Sequence, residues 1–390
     1  MAKTIIKELY ILLVSFFSLI FKGKKIKKQV AYLMSFPKND NGFIQSFKME
    51  NPTVHFIVFY TKNVEEEAKR LELHGIQVIP LNNTINSIKK TVSTLMISKV
   101  IICDNYFPIL GGLFPKNETN IIQLWHANGA IKKFGLEDKF AQKQNRFDKK
   151  RYTKVYKRFS NYIVGSEMMG KVFKHSYNAL DYQIDYIGNP RTDIYFNPQK
   201  LKEQEEYFYR IYPELRQKKI ILYAPTYRNN RNENYPLDIG SLYKAFKDEY
   251  VLLFRTHPHI HINKKKFCKD YERFCYTNLN QFSIENLLPV TDILITDYSS
   301  VPFDFTLLKK TKKIIFYCYD LEEYNSKQGI QENFSDWAPG AVVKTTEEII
   351  ENISTKDHGD YNKFNLSWNQ YNDGQSTQRL IKYIQNKLTN

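Results

Sequence analysis

Ile121-Ile122-Gln123-Leu124-Trp125-His126-Ala127-Asn128-Gly129-Ala130-Ile131-Lys132 is the stretch that decides the fold. Its apolar opening suits a buried parallel strand, which ends in Trp125 and His126. Small, turn-prone residues follow, and a lysine-rich helical pattern begins near Ala130. In an open α/β sheet, ligands bind outside the carboxyl ends of the strands. A histidine placed there is held by a rigid strand, and its ordinary pKa lets it take a proton near neutral pH. The competing reading is a structural histidine beside a packed tryptophan. The rest of the chain decides between them.

Working outward, apolar runs and helical periods alternate. Strands are expected at 30–36, 54–60, 76–81, 100–103, 121–125, 162–165 and 184–188. Helices are expected from an Asn63 cap to about His74, over 85–97, and over the basic run 132–158. A charged helical stretch, 199–218, then connects to strands at 219–224, 250–255, 273–277, 293–296, 313–319 and 341–344. The pattern predicts an α/β protein of two Rossmann-like halves facing one cleft. The expected divisions are 1–28 (membrane association), 29–198 (acceptor side), 199–218 (connection), 219–374 (donor side) and 375–390 (terminal helix).

Composition sets limits. A chain of 390 residues is too long for one ordinary core. Cys103, Cys268, Cys275 and Cys318 form no CxxC pair, so they read as free thiols in a reducing cytosol. The net charge of +16 calls for an anionic partner. No nucleic-acid-binding motif appears, so nucleic acid is excluded in favour of a bilayer surface and phosphates. Leu9 to Phe21 is almost wholly apolar and is followed by Lys22, Lys24, Lys25, Lys27 and Lys28. This run is too short to span about 30 Å of hydrocarbon. It reads as an interfacial helix with a basic skirt, against the alternative of a packing helix. Removal of residues 1–28 is therefore expected to leave a folded, soluble chain.

The strand ends carry the chemistry. Ala224-Pro225-Thr226-Tyr227-Arg228 places a hydroxyl and a guanidinium after a strand, and Arg255-Thr256-His257-Pro258 places a cation and an imidazole. In Asp297-Tyr298-Ser299-Ser300-Val301-Pro302-Phe303-Asp304, two serines at a helix start suit an anion, and Asp304 suits ligand hydroxyls. Gly188-Asn189-Pro190-Arg191 adds another cation. His257, His259 and His261 alternate, yet Pro258 interrupts the geometry that a metal site would need, so no metal is expected. No Walker motif or GxGxxG is present. Cations, imidazoles and hydroxyls at strand ends in both halves suit a metal-independent site for a nucleotide diphosphate donor.

These motifs, with Asp373-Gly374 to Arg379, resemble the CDP-glycerol glycerophosphotransferase family of wall teichoic acid synthesis over residues 120 to the C-terminus. The resemblance implies a GT-B fold, peripheral (monotopic) association with the cytoplasmic face of the bacterial membrane, and CDP-glycerol as donor, with no cofactor. By motif, Trp125, His126, Ala127, Asn128, Gly129, Arg191, Pro225, Thr226, Arg255, Thr256, His257, Ser299, Ser300 and Asp304 would line the donor site. Lys132, Arg228 and Asp297 stand as additional candidates. His126 and His257 are the expected catalytic pair: His126 takes the acceptor proton and His257 bears phosphate charge.

Extending members of the family read Trp-His-Gly-Thr-Pro, whereas this chain reads Trp125-His126-Ala127-Asn128-Gly129. That variant resembles the primase branch, which adds one glycerol phosphate to an undecaprenyl-diphosphate-linked disaccharide. Other teichoic acid enzymes are implied as partners. A chain-extending glycerol- or ribitol-phosphate transferase and a non-catalytic basic membrane adaptor remain the alternatives.

Overall fold

The structure is a computed structural model, and it describes residues 2–40, 42–226, 228, 236–255, 268–309, 313–355 and 360–389. The chain divides into two compact units: residues 1–128, 134–193 and 370–390 form unit 1, and residues 129–133 with 194–369 form unit 2.

Unit 1 is built on seven parallel strands in the order β3-β2-β1-β4-β5-β6-β7. These are β1 (Lys27–Met34), β2 (His55–Tyr60), β3 (Gln77–Pro80), β4 (Ser98–Cys103), β5 (Asn120–Gln123), β6 (Asn161–Val164) and β7 (Ile184–Tyr186). Helices α1 (Ala2–Phe21), α2 (Phe43–Glu50), α3 (Glu65–Leu71), α4 (Ile85–Leu95), α5 (Lys139–Lys143), α6 (Arg146–Tyr156) and α7 (Glu167–Tyr177) belong to the same unit. Val30 to Met34 are fully buried on alternate sides, which is why β1 reads as an unbroken apolar run and not as an alternating one. Phe43, Phe47, Leu380, Ile381 and Ile384 pack against one face of that sheet.

Unit 2 repeats the plan with six parallel strands in the order β10-β9-β8-β11-β12-β13. They are β8 (Lys219–Tyr223), β9 (Tyr250–Phe254), β10 (Cys275–Tyr276), β11 (Ile293–Thr296), β12 (Lys313–Tyr317) and β13 (Ala341–Val343). Helices α8 (Pro198–Ile211) and α9 (Ile239–Phe246) come with them, so the 199–218 stretch lies within unit 2. In both sheets the strand order reverses once, between β1 and β4 and between β8 and β11. Such switch points open a crevice at the strand carboxyl ends.

Several expectations are corrected. No helix starts near Ala130. Ile131 and Lys133 instead pair with Gly329 and Gln331, through Lys133 N to Gly329 O at 2.9 Å and Gln331 N to Ile131 O at 2.8 Å. An isolated bridge joins Lys132 to Ile330. This tertiary pairing overrides the helical tendency of the lysine-rich composition. Asn63 lies inside a 3-10 turn and does not cap a helix. Cys268 and Cys275 are joined as a disulfide, their Cα atoms 5.5 Å apart, while Cys103 and Cys318 are buried and free.

The N-terminal helix is also different from the expectation. It has 20 residues, and the window Thr4–Phe21 is long and apolar enough to cross a membrane by length and composition. Yet Ile11, Val14, Phe17, Ser18 and Phe21 are buried, with α1 packed beside α4 and the Pro108–Gly112 turn. Gly112 permits the approach, because a Cβ there would lie 2.7 Å from Val14. Cutting at residue 28 would therefore bare this face and also remove the first two residues of β1. The opposite face, with Leu9, Leu12, Phe16, Leu19 and Ile20, is exposed.

The C-terminal helix Ser376–Thr389 returns to unit 1, and Asp193 holds its start. The Asp193 carboxylate accepts from Ser376 N at 3.1 Å and Thr377 N at 2.7 Å. Asp193→Ala is expected to lower stability by roughly 1–2 kcal/mol, read as a lower urea midpoint with an unchanged slope.

Candidate functional site

Unit 1 presents His126 just beyond β5. Trp125 has left the strand, with φ of 62°, a conformation disfavoured for a bulky residue. The surroundings hold it there. Its N–H donates to Gln123 Oε1 at 2.9 Å, and its carbonyl accepts from Asn39 Nδ2 at 2.7 Å. Its ring stacks on Phe134 at 4.6 Å. This turn re-aims His126.

The imidazole is fixed on three sides. Nδ1 lies 2.9 Å from the backbone carbonyl of Asp104, which only accepts, so Nδ1 carries the hydrogen and Nε2 the lone pair. Phe36 stacks on the ring at 3.5 Å with an interplanar angle of 4°, and Trp125 lies 4.2 Å away on a tilt. Asp104 is itself clamped: its carboxylate accepts from Ser35 N at 2.7 Å, Ser35 Oγ at 2.8 Å and Phe36 N at 2.9 Å. Burial raises its pKa to about 6, against the pull of those N–H groups.

Sequence reasoning missed Ser35, Phe36, Asn39 and Asp104. They follow β1 and β4 and so lie at the switch point of unit 1, where the topology places a crevice. The signal that would have found them is the pair of strand ends at 35 and 104, neither of which carries a motif.

Asn128 and Arg191 belong to a closing network in unit 1. Asn372 Nδ2 donates to Asn128 Oδ1 at 2.7 Å, and Asn189 N donates to Asn372 Oδ1 at 2.8 Å. Arg191 N lies 3.3 Å from Asn189 Oδ1. Arg379 donates to Ile187 O, Tyr371 O and both oxygens of Asp373. Much of the Asn189-Pro190-Arg191 and Asp373-Gly374 to Arg379 pattern thus builds the unit. Ala127 is partly exposed beside His126.

Unit 2 carries the remaining described candidates beyond its strands, and Thr226, Arg228 and Asp297 meet at the β8/β11 switch point. Thr226 N and Tyr298 N both donate to Asp297 Oδ1, at 2.8 and 2.7 Å, tying the two strand ends together. Arg228 pairs with Asp297 Oδ2 at 2.9 Å and forks onto Asp320 at 2.8 and 3.0 Å. Tyr298, Tyr319 and Tyr324 surround its guanidinium. Burial opposes that charge, but the Asp320 and Asp297 carboxylates outweigh it and hold the pKa above the usual arginine value. Arg228 is committed to this network.

Ser299 Oγ accepts from Val301 N at 3.3 Å, whereas Ser300, at the cap position, makes no capping bond. The helix that follows, Val301–Phe305, is only five residues long, so its dipole adds little to an anion site. Pro225 and Asp304 are buried, and burial lowers the pKa of Arg255, with Glu285 opposing. Thr256 and His257, with His259 and His261, lie outside the described residues.

Gly129 and Lys132 also belong to unit 2, on the five-residue segment 129–133. A Cβ on Gly129 would lie 2.1 Å from the Phe303 ring, so that position admits glycine alone unless the ring moves. Phe303 is fully buried and hemmed in by Trp368 and Phe364, with ring centroids 5.0 and 5.2 Å away.

One buried acidic group a few residues beyond β1 gives a pH prediction. Asp40 accepts from Ile44 N at 2.7 Å, and its pKa is raised to about 7 by burial, the N–H groups of Ile44 and Gly42 opposing and Glu67 adding. A folded pKa above the unfolded one favours the protonated folded state, so this stability is lost as pH rises from about 4 through 7. Asp40→Asn should raise the unfolding free energy at pH 8, by at most about 4 kcal/mol, and so raise the urea midpoint, and change both little at pH 4. A lower midpoint at pH 8 would contradict this.

Known proteins supply the family. The profile of the CDP-Glycerol:Poly(glycerophosphate) glycerophosphotransferase family matches residues 15–386. A teichoic acid glycerol-phosphate primase of Bacillus subtilis (strain 168) is 34% identical over 391 residues, covering 99% of each chain. One of Staphylococcus aureus (strain NCTC 8325 / PS 47) is 29% identical with the same coverage. A poly(ribitol-phosphate) polymerase of Bacillus spizizenii is 33% identical over 76% of this chain and 49% of its own length. Among solved structures, the wall teichoic acid polymerase TagF superimposes with a TM-score of 0.73 at 20% identity, over 100% of this chain and 96% of that one. A UDP-GlcNAc 2-epimerase from Methanocaldococcus jannaschii does so at 0.58 and 12% identity, over 92% of this chain and 99% of that one. These structures establish a GT-B-like fold. The chain belongs to the CDP-glycerol:poly(glycerophosphate) glycerophosphotransferase family.

Proposed function

We propose that the protein transfers sn-glycerol 3-phosphate from CDP-glycerol to the N-acetylmannosamine hydroxyl of an undecaprenyl-diphosphate-linked disaccharide, releasing CMP. The observation that carries the chemistry is the fixed imidazole of His126, whose Nδ1 faces the Asp104 carbonyl and leaves Nε2 as the basic nitrogen. End-to-end likeness to glycerol-phosphate primases supports the choice of acceptor.

In the proposed reaction Nε2 of His126 takes the proton of the acceptor hydroxyl. That oxygen forms a bond to the β-phosphorus of CDP-glycerol, and the bond from that phosphorus to the bridging oxygen breaks. CMP leaves with the electron pair. Thr226, Arg255, His257, Ser299 and Ser300 bear on the phosphates, and Asp304 on the glycerol hydroxyls. Arg191 is assigned beside the phosphates on its motif alone. His126→Ala should cut turnover by roughly 10²–10⁴-fold while CDP-glycerol still binds in calorimetry.

Mass spectrometry of the lipid-linked disaccharide after incubation with excess donor tests the acceptor assignment. A single added glycerol phosphate is expected, because the new terminus is a flexible primary alcohol that a sugar-shaped site holds poorly. A ladder of products would instead place the protein with the chain-extending relatives.

We further propose that the enzyme works on the anionic cytoplasmic face of the membrane. The exposed apolar face of α1 supports this, together with exposed Phe140 on α5 and Phe147 on α6, which stand among Lys139, Lys143, Arg146, Lys149 and Lys150. Lys7–Asp148 and Glu8–Arg151 ion pairs tie α1 to α6. Leu9→Gln, Leu12→Gln and Phe16→Gln together should abolish flotation with anionic vesicles and leave the melting temperature unchanged, since the docked face is untouched. Undiminished flotation would contradict the assignment.

A further inference from the structure

The segment 129–133 brings a lysine from the first half of the sequence into the second unit. Its backbone is pinned by the bonds to 329–331 and by Gly129 against Phe303, so the side chain of Lys132 is delivered to a fixed place. That place is the β8/β11 switch point, in the fields of Asp297 and Arg228.

The local charges explain why Lys132 is different from its neighbour. Arg228 hydrogen-bonds Asp320, forms an ion pair with Asp297, and donates from Nη1 to Thr226 O at 2.8 Å. Among the described residues, Lys132 has no hydrogen-bond or ion-pair partner for its ammonium. Burial pulls its pKa below the usual lysine value, Asp297 pulling the other way and Arg228 adding to the drop. A second group is in the same position: Thr226 Oγ1 is buried with no hydrogen-bond partner among the described residues, although its own N–H is bound to Asp297. A buried hydroxyl without a partner is costly, and the half-buried Lys132 ammonium has no counter-ion of its own. An anion with several acceptor oxygens in the crevice would satisfy both groups.

We propose that Lys132, with Thr226 Oγ1, binds the diphosphate of the nucleotide donor, and that Arg228 is the scaffold that leaves Lys132 available. This rests on the donor reading above and assigns within it a further cation that meets the phosphates.

The test is calorimetric titration of wild-type, Lys132→Met and Lys132→Arg protein with CDP-glycerol and with inorganic pyrophosphate, together with melting temperatures. Lys132→Met should weaken both ligands by roughly ten- to hundredfold, and Lys132→Arg should keep most of the affinity. The melting temperature of Lys132→Met should be unchanged or higher, because a near-isosteric apolar group replaces an unpaired charge. A purely structural lysine would give the opposite: a lower melting temperature and unchanged affinity, which overturns the proposal. Wild-type protein that binds pyrophosphate but not CDP-glycerol would overturn the donor reading while leaving the Lys132 comparison intact. Wild-type binding of neither overturns both.

Discussion

Gly129 has no side chain, and the ring of Phe303 fills the space a Cβ would need. On that contact depends the seating of the strap 129–133 in unit 2, because Phe303 is fixed by an aromatic cluster of half-buried Trp337 with buried Phe364 and Trp368. Three residues upstream is His126, set by Trp125, Phe36 and Asp104 in unit 1. Asn128 is buried and bound to Asn372, which holds this end of the turn within unit 1.

Both units use the same topological opportunity. Where strand order reverses, the strand ends diverge, and a carboxylate bridges the gap: Asp104 holds the β1 end to β4, and Asp297 holds the β8 end to β11. In unit 1 the bridge presents a backbone carbonyl that orients an imidazole. In unit 2 it anchors Arg228 and the loop carrying Thr226. Similar sheets therefore support two different tasks, which are set by the residues at the strand ends and not by the fold.

Much of this architecture was legible in the sequence. Fully buried parallel strands read as apolar runs, and β11 was bounded correctly because Ile293–Thr296 stands between polar turns. The motif residues at the ends of β5, β8 and β11 were identifiable for the same reason. The strap was not legible, since its extended form comes from pairing with residues almost 200 positions away. Nor was the double nature of α1, whose buried and exposed faces are equally apolar, so that no periodicity separates them. Arg228 looked like a ligand cation because Asp320, which engages it, lies 92 residues on in a stretch with no motif. The cysteine pair was hidden by its ordinary spacing of seven.

Whether the seating of Gly129 against Phe303 governs activity is tested most directly by turnover of Gly129→Ala beside Gly129→Ala/Phe303→Leu. With CDP-glycerol and the lipid-linked disaccharide, the single variant should lose most turnover while keeping a cooperative unfolding transition. The double variant, with room made for the Cβ, should recover a substantial part of it. Wild-type turnover in Gly129→Ala, or no recovery in a well-folded double variant, would contradict the account.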